Sequence, residues 1–200
     1  SQNSNDILLD NISQYQLNTN TFGRPVTSNN AVNANYIRKL DTLGSELFIA
    51  AQYGAFNIKN RSNIKQETFI NNSTTQNEKR NLNTNSINIL GAQIDLTKAF
   101  NKSWKLETGL KESFISKTSD IRFENLNTNS EWISDTSYKN GFKFNENILA
   151  AYTELRFKKN KFNSRVGLRA ELTHSDGFSK RLNQTIINRD YINYFPSAFV

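Results

Sequence analysis

Apolar and polar residues alternate one by one along several stretches of the chain, most clearly between residues 148 and 174. Leu149, Ala151, Thr153, Leu155 and Phe157 fall on one side of this alternation. Glu154, Arg156 and Lys158 fall on the other, with Ile148, Ala150 and Tyr152 nearer its start. A polar turn follows, Lys158-Lys159-Asn160-Lys161. Phe162, Ser164, Val166, Leu168, Ala170 and Leu172 then share one side, while Asn163, Arg165, Gly167, Arg169, Glu171 and Thr173 share the opposite one. A period of two sustained over about ten residues predicts a strand with one apolar face. A helical period would gather Arg165, Leu168 and Arg169 together and leave no apolar stripe.

The plan recurs upstream. Leu90, Ala92, Ile94 and Leu96 alternate with Gly91, Gln93, Asp95 and Thr97. A short turn after Phe100, at Asn101-Lys102-Ser103, leads to Trp104, Leu106, Thr108 and Leu110 set against Lys105, Glu107, Gly109 and Lys111. That strand is expected to run through Phe114 and Ile115 toward Phe123. A fainter pair has Val32, Ala34 and Tyr36, a turn at Asp41-Thr42-Leu43-Gly44, then Leu47, Ile49, Ala51, Tyr53 and Ala55. There Phe48, Phe56 and Ile58 sit on the side that should be polar.

The tight turns recur about every 60 residues. Between them lie stretches rich in Asn, Ser and Thr: Asn60 to Thr84, Asp120 to Gly141 and Ser175 to Arg189. They read as long polar loops. Short turns at one end and long loops at the other are the asymmetry of outer-membrane barrels. Ile7 to Leu17 could form a strand, while Asn18 to Asn30 is turn-rich around Gly23 and Pro25. Tyr191 to Val200 reads as a strand cut short, with Pro196 expected at its beginning or at a bulge. At about 30 residues per strand and connection, the expectation is an all-β antiparallel meander of about seven long strands, part of a transmembrane β-barrel. Residues 1–200 form one segment of it, 1–30 the least determined.

Composition sharpens this picture. Hydrophobic residues make up 36% and mean hydropathy is −0.67, lean for a soluble globule and suggestive of disorder. Yet 14 Phe, 7 Tyr and 2 Trp are too many aromatics for a disordered chain. A barrel with a polar interior reconciles the two, because alternate strand residues are polar without being sealed in a core. No apolar run approaches a membrane-spanning helix, but a transmembrane strand needs only about 9–11 residues. The net charge of +7 is spread among acidic residues rather than clustered, so nucleic acid is not an expected partner. With no methionine and a polar start at Ser1 to Asp6, the sequence reads as an excerpt of a longer, processed protein, cut mid-barrel at its C-terminus.

If the aliphatic rows meet lipid, Leu149, Ala151, Leu155, Phe157, Val166, Leu168 and Leu172 are the lipid-facing candidates. Lys105, Glu107, Lys111, Glu154, Arg156, Arg165, Arg169 and Glu171 must then face the lumen, because Arg or Lys on the lipid side costs about 2–4 kcal/mol at the midplane. Opposite charges can pair across strands there, for example Glu154 or Arg156 with the stretch Arg165 to Glu171. The wall either meets a plug or a solute, or is simply solvated and internally ion-paired. Phe100, Trp104, Phe157 and Phe162 flank two tight turns and are the candidates for an interfacial aromatic girdle.

Four segments carry a family resemblance. Phe144-Asn145-Glu146-Asn147-Ile148-Leu149-Ala150-Ala151-Tyr152 is followed by Val166-Gly167-Leu168-Arg169-Ala170-Glu171-Leu172-Thr173-His174-Ser175. The other two are Leu106-Glu107-Thr108-Gly109-Leu110-Lys111 and Tyr194-Phe195-Pro196-Ser197-Ala198-Phe199. In order and spacing they resemble the Bacteroidetes outer-membrane β-barrel family related to TonB-dependent receptors, over roughly residues 30–200. The resemblance implies a Gram-negative outer-membrane location, a barrel of about 22 strands, and an unknown solute met at extracellular loops. It also implies a plug domain and TonB-type energy coupling, neither recognisable in these residues.

Catalytic and metal chemistry find little footing. There is no cysteine, and His174 is the single histidine, placed near a strand end where it reads as a rim residue. Asp120, Glu124 and Asp176 match no calcium-loop spacing. Glu107 and Glu112 have opposite parity and make poor acid/base partners. No phosphate loop or nucleophile elbow occurs, so neither an enzyme nor a cofactor is expected. The competing reading is a soluble, secreted all-β binding module, an adhesin or glycan binder, with the same aliphatic residues packed against a second sheet.

Overall fold

The computed structural model describes residues 2–9, 12–70 and 73–200. Eight strands follow one another: β1 Gln2–Leu9, β2 Ile12–Lys39, β3 Glu46–Ile70, β4 Ser73–Ala99, β5 Trp104–Leu126, β6 Trp132–Lys159, β7 Phe162–Ser179 and β8 Gln184–Phe199. They form a single antiparallel sheet in sequence order, and no ladder among the described residues joins β8 back to β1. The all-β meander has one strand more than the rough count of seven. The extra strand, β1, falls in the N-terminal stretch that the alternation leaves open. The expected strand at Ile7 to Leu17 is instead divided between β1 and β2, whose connection lies outside the described residues.

The three tight turns stand where the pattern places them. Asp41 Oδ1 accepts the N–H groups of Leu43 and Ser45, each at 2.9 Å. Gly44 there has φ 94°, a left-handed value that costs glycine nothing. Asn101 Oδ1 accepts the N–H groups of Ser103 at 2.8 Å and Trp104 at 2.9 Å. Between β6 and β7, Lys159 pairs with Phe162 around Asn160, whose φ is 52°. Asn is among the few residues that tolerate this conformation.

The expected long loops are a correction. Asn60 to Thr84 is mostly the far half of β3 laddered to β4, from Asn60↔Asn83 to Ile70↔Ser73. Asp120 to Gly141 is a hairpin between β5 and β6 closed at residues 127–131, where Asn127 N–H donates to the Glu131 carbonyl at 2.9 Å. Ser175 to Arg189 continues β7 into β8, with its turn at 180–183. Strand formation requires a paired backbone, not an apolar face. With both faces in water, Asn, Ser and Thr line a ladder at no burial cost. The 25 residues of β3 reach about 80 Å along the strand.

Two proline expectations are also corrected. Pro25 lies inside β2, in register with Asn60, rather than in a turn. Pro196 lies inside β8 opposite Leu168, at neither a strand start nor a bulge. Both occupy edges. β2 has lost its β1 partner beyond Asn20, and β8 has no second neighbour among the described residues. On a side without a partner the missing N–H breaks no ladder bond among these strands.

The register aligns the parities of neighbouring strands. Ile49 pairs with Ile94, Ile94 with Leu110, Leu110 with Ala151, Ala151 with Ala170 and Ala170 with Tyr194. Between the tight turns and the row Asn147↔His174, one face therefore carries a continuous aliphatic field across β3–β8, and the opposite parity carries the charges apart from Lys98 and Glu112. Among the described residues only Ala99 and Ala150 are buried apolar side chains. Among the described residues there is no second sheet and no sealed core for the aliphatic rows to enter.

Candidate functional site: a two-faced sheet

Exposure runs opposite to that of a soluble domain. On the aliphatic face Leu149, Leu155, Val166, Leu168 and Leu172 are between 40% and 63% exposed, and Ala151 is exposed as well. Phe157 is half-buried, because its ring packs 4.6 Å from Trp104 and 6.0 Å from Phe162, centroid to centroid. On the other face Lys105, Glu107, Lys111, Glu154, Arg156, Arg165, Arg169 and Glu171 are all half-buried. Ala150 and Thr173, on that same face, are only 1% and 2% exposed. The polar side of the sheet is the crowded one.

The aliphatic rows have definite ends. At one end Trp104, Phe157 and Phe162 share the aliphatic parity beside the tight turns, and Phe100, one residue past β4, donates its N–H to the Trp104 carbonyl at 3.0 Å. At the other the same face turns polar along the register Asn147↔His174↔Asp190, followed by Asn145↔Asp176↔Asn188. His174 Nδ1 lies 2.7 Å from Asp190 Oδ1, and Asn145 Nδ2 donates to Asp176 Oδ2 at 3.0 Å. Phe162 to Leu172 is about 33 Å along the strand, or about 25 Å of height at a tilt of ~40°, the height of an outer-membrane apolar band. Glu112 departs from the rule: it is exposed on the aliphatic face, where Asn147 Nδ2 donates to it at 3.3 Å.

On the charged face the side chains are tied to one another. Arg156 bridges Glu107 of β5 (Nη2–Oε2, 2.8 Å) and Glu154 of its own strand. Arg169 pairs with Glu171 two residues along β7. This corrects the expected pairing between β6 and β7: register sets Arg156 opposite Arg165, so the carboxylates are met elsewhere. Arg165 instead stands over Phe199, 5.0 Å from its centroid. Lys105 reaches back over the first tight turn, its Nζ beside Gly44. Lys111 borders a shallow recess with Phe48, Ala50, Gln52, Gly91 and Gln93.

A further cluster joins four strands at mid-sheet. Tyr152 of β6 crosses Gly109 of β5, and its hydroxyl donates to Asp95 of β4. Gln93 Nε2 donates to the Tyr152 hydroxyl at 3.3 Å, and Arg169 of β7 stands 5.5 Å from the tyrosine ring centroid. Sequence reasoning places these residues on the right parity but not together, since the register between strands is not written locally. The one signal present is a glycine on a polar face among bulky neighbours.

Asp120 is bridged by Lys180, Glu124 by Arg80, and Asp176 takes Asn145, so the carboxylates weighed for calcium each have a protein partner. Among the described residues no three His, Cys, Asp or Glu side chains come together as a metal site would need.

No curated protein matches the chain. Among solved structures, 92% of the chain superposes on 33% of the crystal structure of ferric citrate transporter FecA in the unliganded form, at 9% identity and a TM-score of 0.43. The chain thus spans a third of that protein's length. The family is settled by sequence: residues 38–200 match the outer membrane protein beta-barrel family, and the chain, an antiparallel meander of the outer membrane, belongs to it.

Proposed function

We propose that this sheet is a wall of a receptor- or transporter-like barrel that handles a polar solute, with no catalysis of its own. In this reading Leu149, Ala151, Leu155, Phe157, Val166, Leu168 and Leu172 meet acyl chains. Lys105, Glu107, Lys111, Glu154, Arg156, Arg165, Arg169 and Glu171 line a water-filled lumen. Phe100, Trp104, Phe157 and Phe162 form the girdle at the periplasmic interface, where barrels have their short turns. The observation that carries the reading is the inverted exposure: aliphatic residues stand free while alternate charged residues crowd and pair. Water at the polar face and hydrocarbon at the other satisfies both sets.

The motif resemblance supports a relation to the TonB-dependent receptors of Bacteroidetes, with a plug and energy coupling supplied from outside these residues. The strands that continue beyond the apolar band would present the solute-binding surface, since such projecting parts carry recognition on a rigid scaffold.

The chain has no cysteine, which allows a direct test. Leu168→Cys and Arg169→Cys, each in the intact protein in outer membranes with any cysteine outside these residues replaced, are exposed to a membrane-impermeant maleimide. Labelling of the second and protection of the first is expected. Equal labelling of both would overturn the lipid-and-lumen reading.

A further inference from the structure

We infer that the outward face of the sheet above the apolar band binds phosphate groups of outer-leaflet lipid, through Lys59 and Arg61 of β3 and Arg24 of β2. The inference rests on the lipid-facing reading given above.

Charge along this part of β3 is sorted by face. Beyond Ala55, β3 carries Lys59, Arg61, Lys65 and Glu67, all on the parity of Ile49 and Tyr53. The other parity of the same stretch is Phe56, Ile58, Asn60, Ser62, Ile64, Gln66 and Thr68, without a charge. Solubility alone would not confine charge to one face.

The acids of that outward face are already engaged. Glu78 pairs with Lys65 at 2.9 Å, Glu124 with Arg80, and Asp120 with Lys180 at 2.8 Å. Glu67 accepts from Gln76 at 3.0 Å. Lys59, Arg61 and Arg24 are exposed, and no carboxylate among the described residues pairs with them.

Register adds a second observation. Arg24 stands directly opposite Arg61, and Val26 opposite Lys59. Like charges directly opposite in a ladder repel. An anion held between the two guanidinium groups removes that repulsion, and phosphate suits their paired donors.

Position names the source. Lys59 lies four residues beyond Ala55, about 13 Å along the strand and about 10 Å in height at a tilt of ~40°. A long basic side chain bends toward the interface from there. The tight turns mark the periplasmic end, so this end meets the outer leaflet and its headgroups.

The test uses the intact protein in nanodiscs containing either bis-phosphorylated lipid A or the same lipid dephosphorylated. Lipid retained after extraction is counted by native mass spectrometry. Retention of the phosphorylated form alone is expected, falling about fivefold for each charge removed in K59Q and R61Q. K79Q, which removes a cation from the opposite face, should leave retention unchanged. Equal retention of both lipids, no loss in K59Q/R61Q, or an equal loss in K79Q would overturn the inference. If inorganic phosphate competes as well as the lipid does, the site takes free anions and the lipid assignment is overturned. Quenching of a tryptophan placed at Leu168 by brominated acyl chains, run in parallel, tells failure of this inference alone from failure of the lipid-facing reading.

Discussion

The ring of Tyr152 occupies the space that a side chain would take at Gly109: a Cβ there would stand 2.6 Å from Tyr152 Cζ and would run into Asp95 Oδ1. Glycine on β5 is what lets a residue of β6 reach across to β4, tying three strands through one hydroxyl. Gly109→Ala should push the ring away and destabilise the sheet by about 1–3 kcal/mol. Tyr152→Phe should cost about 1–2 kcal/mol, because only the two hydrogen bonds of its hydroxyl, to Asp95 and from Gln93, are lost. In a Tyr152→Ala background Gly109→Ala should cost less, since the ring has gone and only the Asp95 carboxylate, released from the tyrosine hydroxyl, must move aside. Urea unfolding of the intact protein in lipid vesicles measures all three. Simple additivity would show that ring and glycine are not coupled.

How far the sequence reveals this sheet follows from what each feature depends on. Alternation depends only on neighbours in the chain, so the two faces at Leu149–Phe157 and Phe162–Leu172 are legible directly. Turn chemistry is local too, and Asp41, Asn101 and Asn160 mark three turns. Strand length is not local. Asn60 to Thr84 looks like a loop because nothing in its composition announces that Asn60 will find Asn83. Pairings fail to appear for the same reason. Arg156 and Glu107 share a parity in the sequence, but their bridge depends on the β5–β6 register.

The two faces should respond oppositely to charge. Leu168 lies in the middle of the aliphatic field, opposite Thr153 and Pro196. On the proposed lipid-facing reading, Leu168→Arg puts a cation into hydrocarbon and should destabilise by about 2–4 kcal/mol. Its neighbour Arg169 loses a partly exposed ion pair with Glu171 and its place over the Tyr152 ring on becoming Gln, together worth about 1 kcal/mol. Folding free energies in lipid vesicles measure the contrast. Similar costs at the two positions would place both faces in one environment.

The β6–β7 hairpin relies on Asn160 holding a left-handed backbone. Asn160→Ala should cost about 1–2 kcal/mol, since an ordinary side chain meets the carbonyl in that conformation. Asn160→Gly should be near neutral. The rate and yield of folding into vesicles, together with the urea midpoint, separate the two substitutions. An Ala variant as stable as the Gly variant would mean the turn is strained by nothing at this position.

The first tight turn should make the acid stability of the protein depend on Asp41. The hydroxyl and N–H of Ser45, then the Leu43 N–H and the Lys98 ammonium, hold its carboxyl well below the usual carboxylate value of 3.8. Lys98 Nζ lies 3.4 Å from Asp41 Oδ2, and Ser45 is fully buried with its Oγ accepting the Ala99 N–H at 2.9 Å, so the turn is fastened to β4 through these contacts. A folded-state pKa below the unfolded one means that the unfolded state takes up the proton first. The stabilisation is therefore complete above the unfolded value and is lost as pH falls through it toward the folded one. Between pH 7 and about 5 the wild type and Asp41→Asn should show parallel stability curves, offset by the lost charge. Below about pH 4 the wild type should lose stability more steeply, and the two curves should converge. Urea midpoints across this range, at fixed ionic strength, provide the comparison, with every other carboxylate common to both proteins. Equal slopes below pH 4 would mean that Asp41 titrates alike in the folded and unfolded chain, and that its turn contacts do not bear on stability.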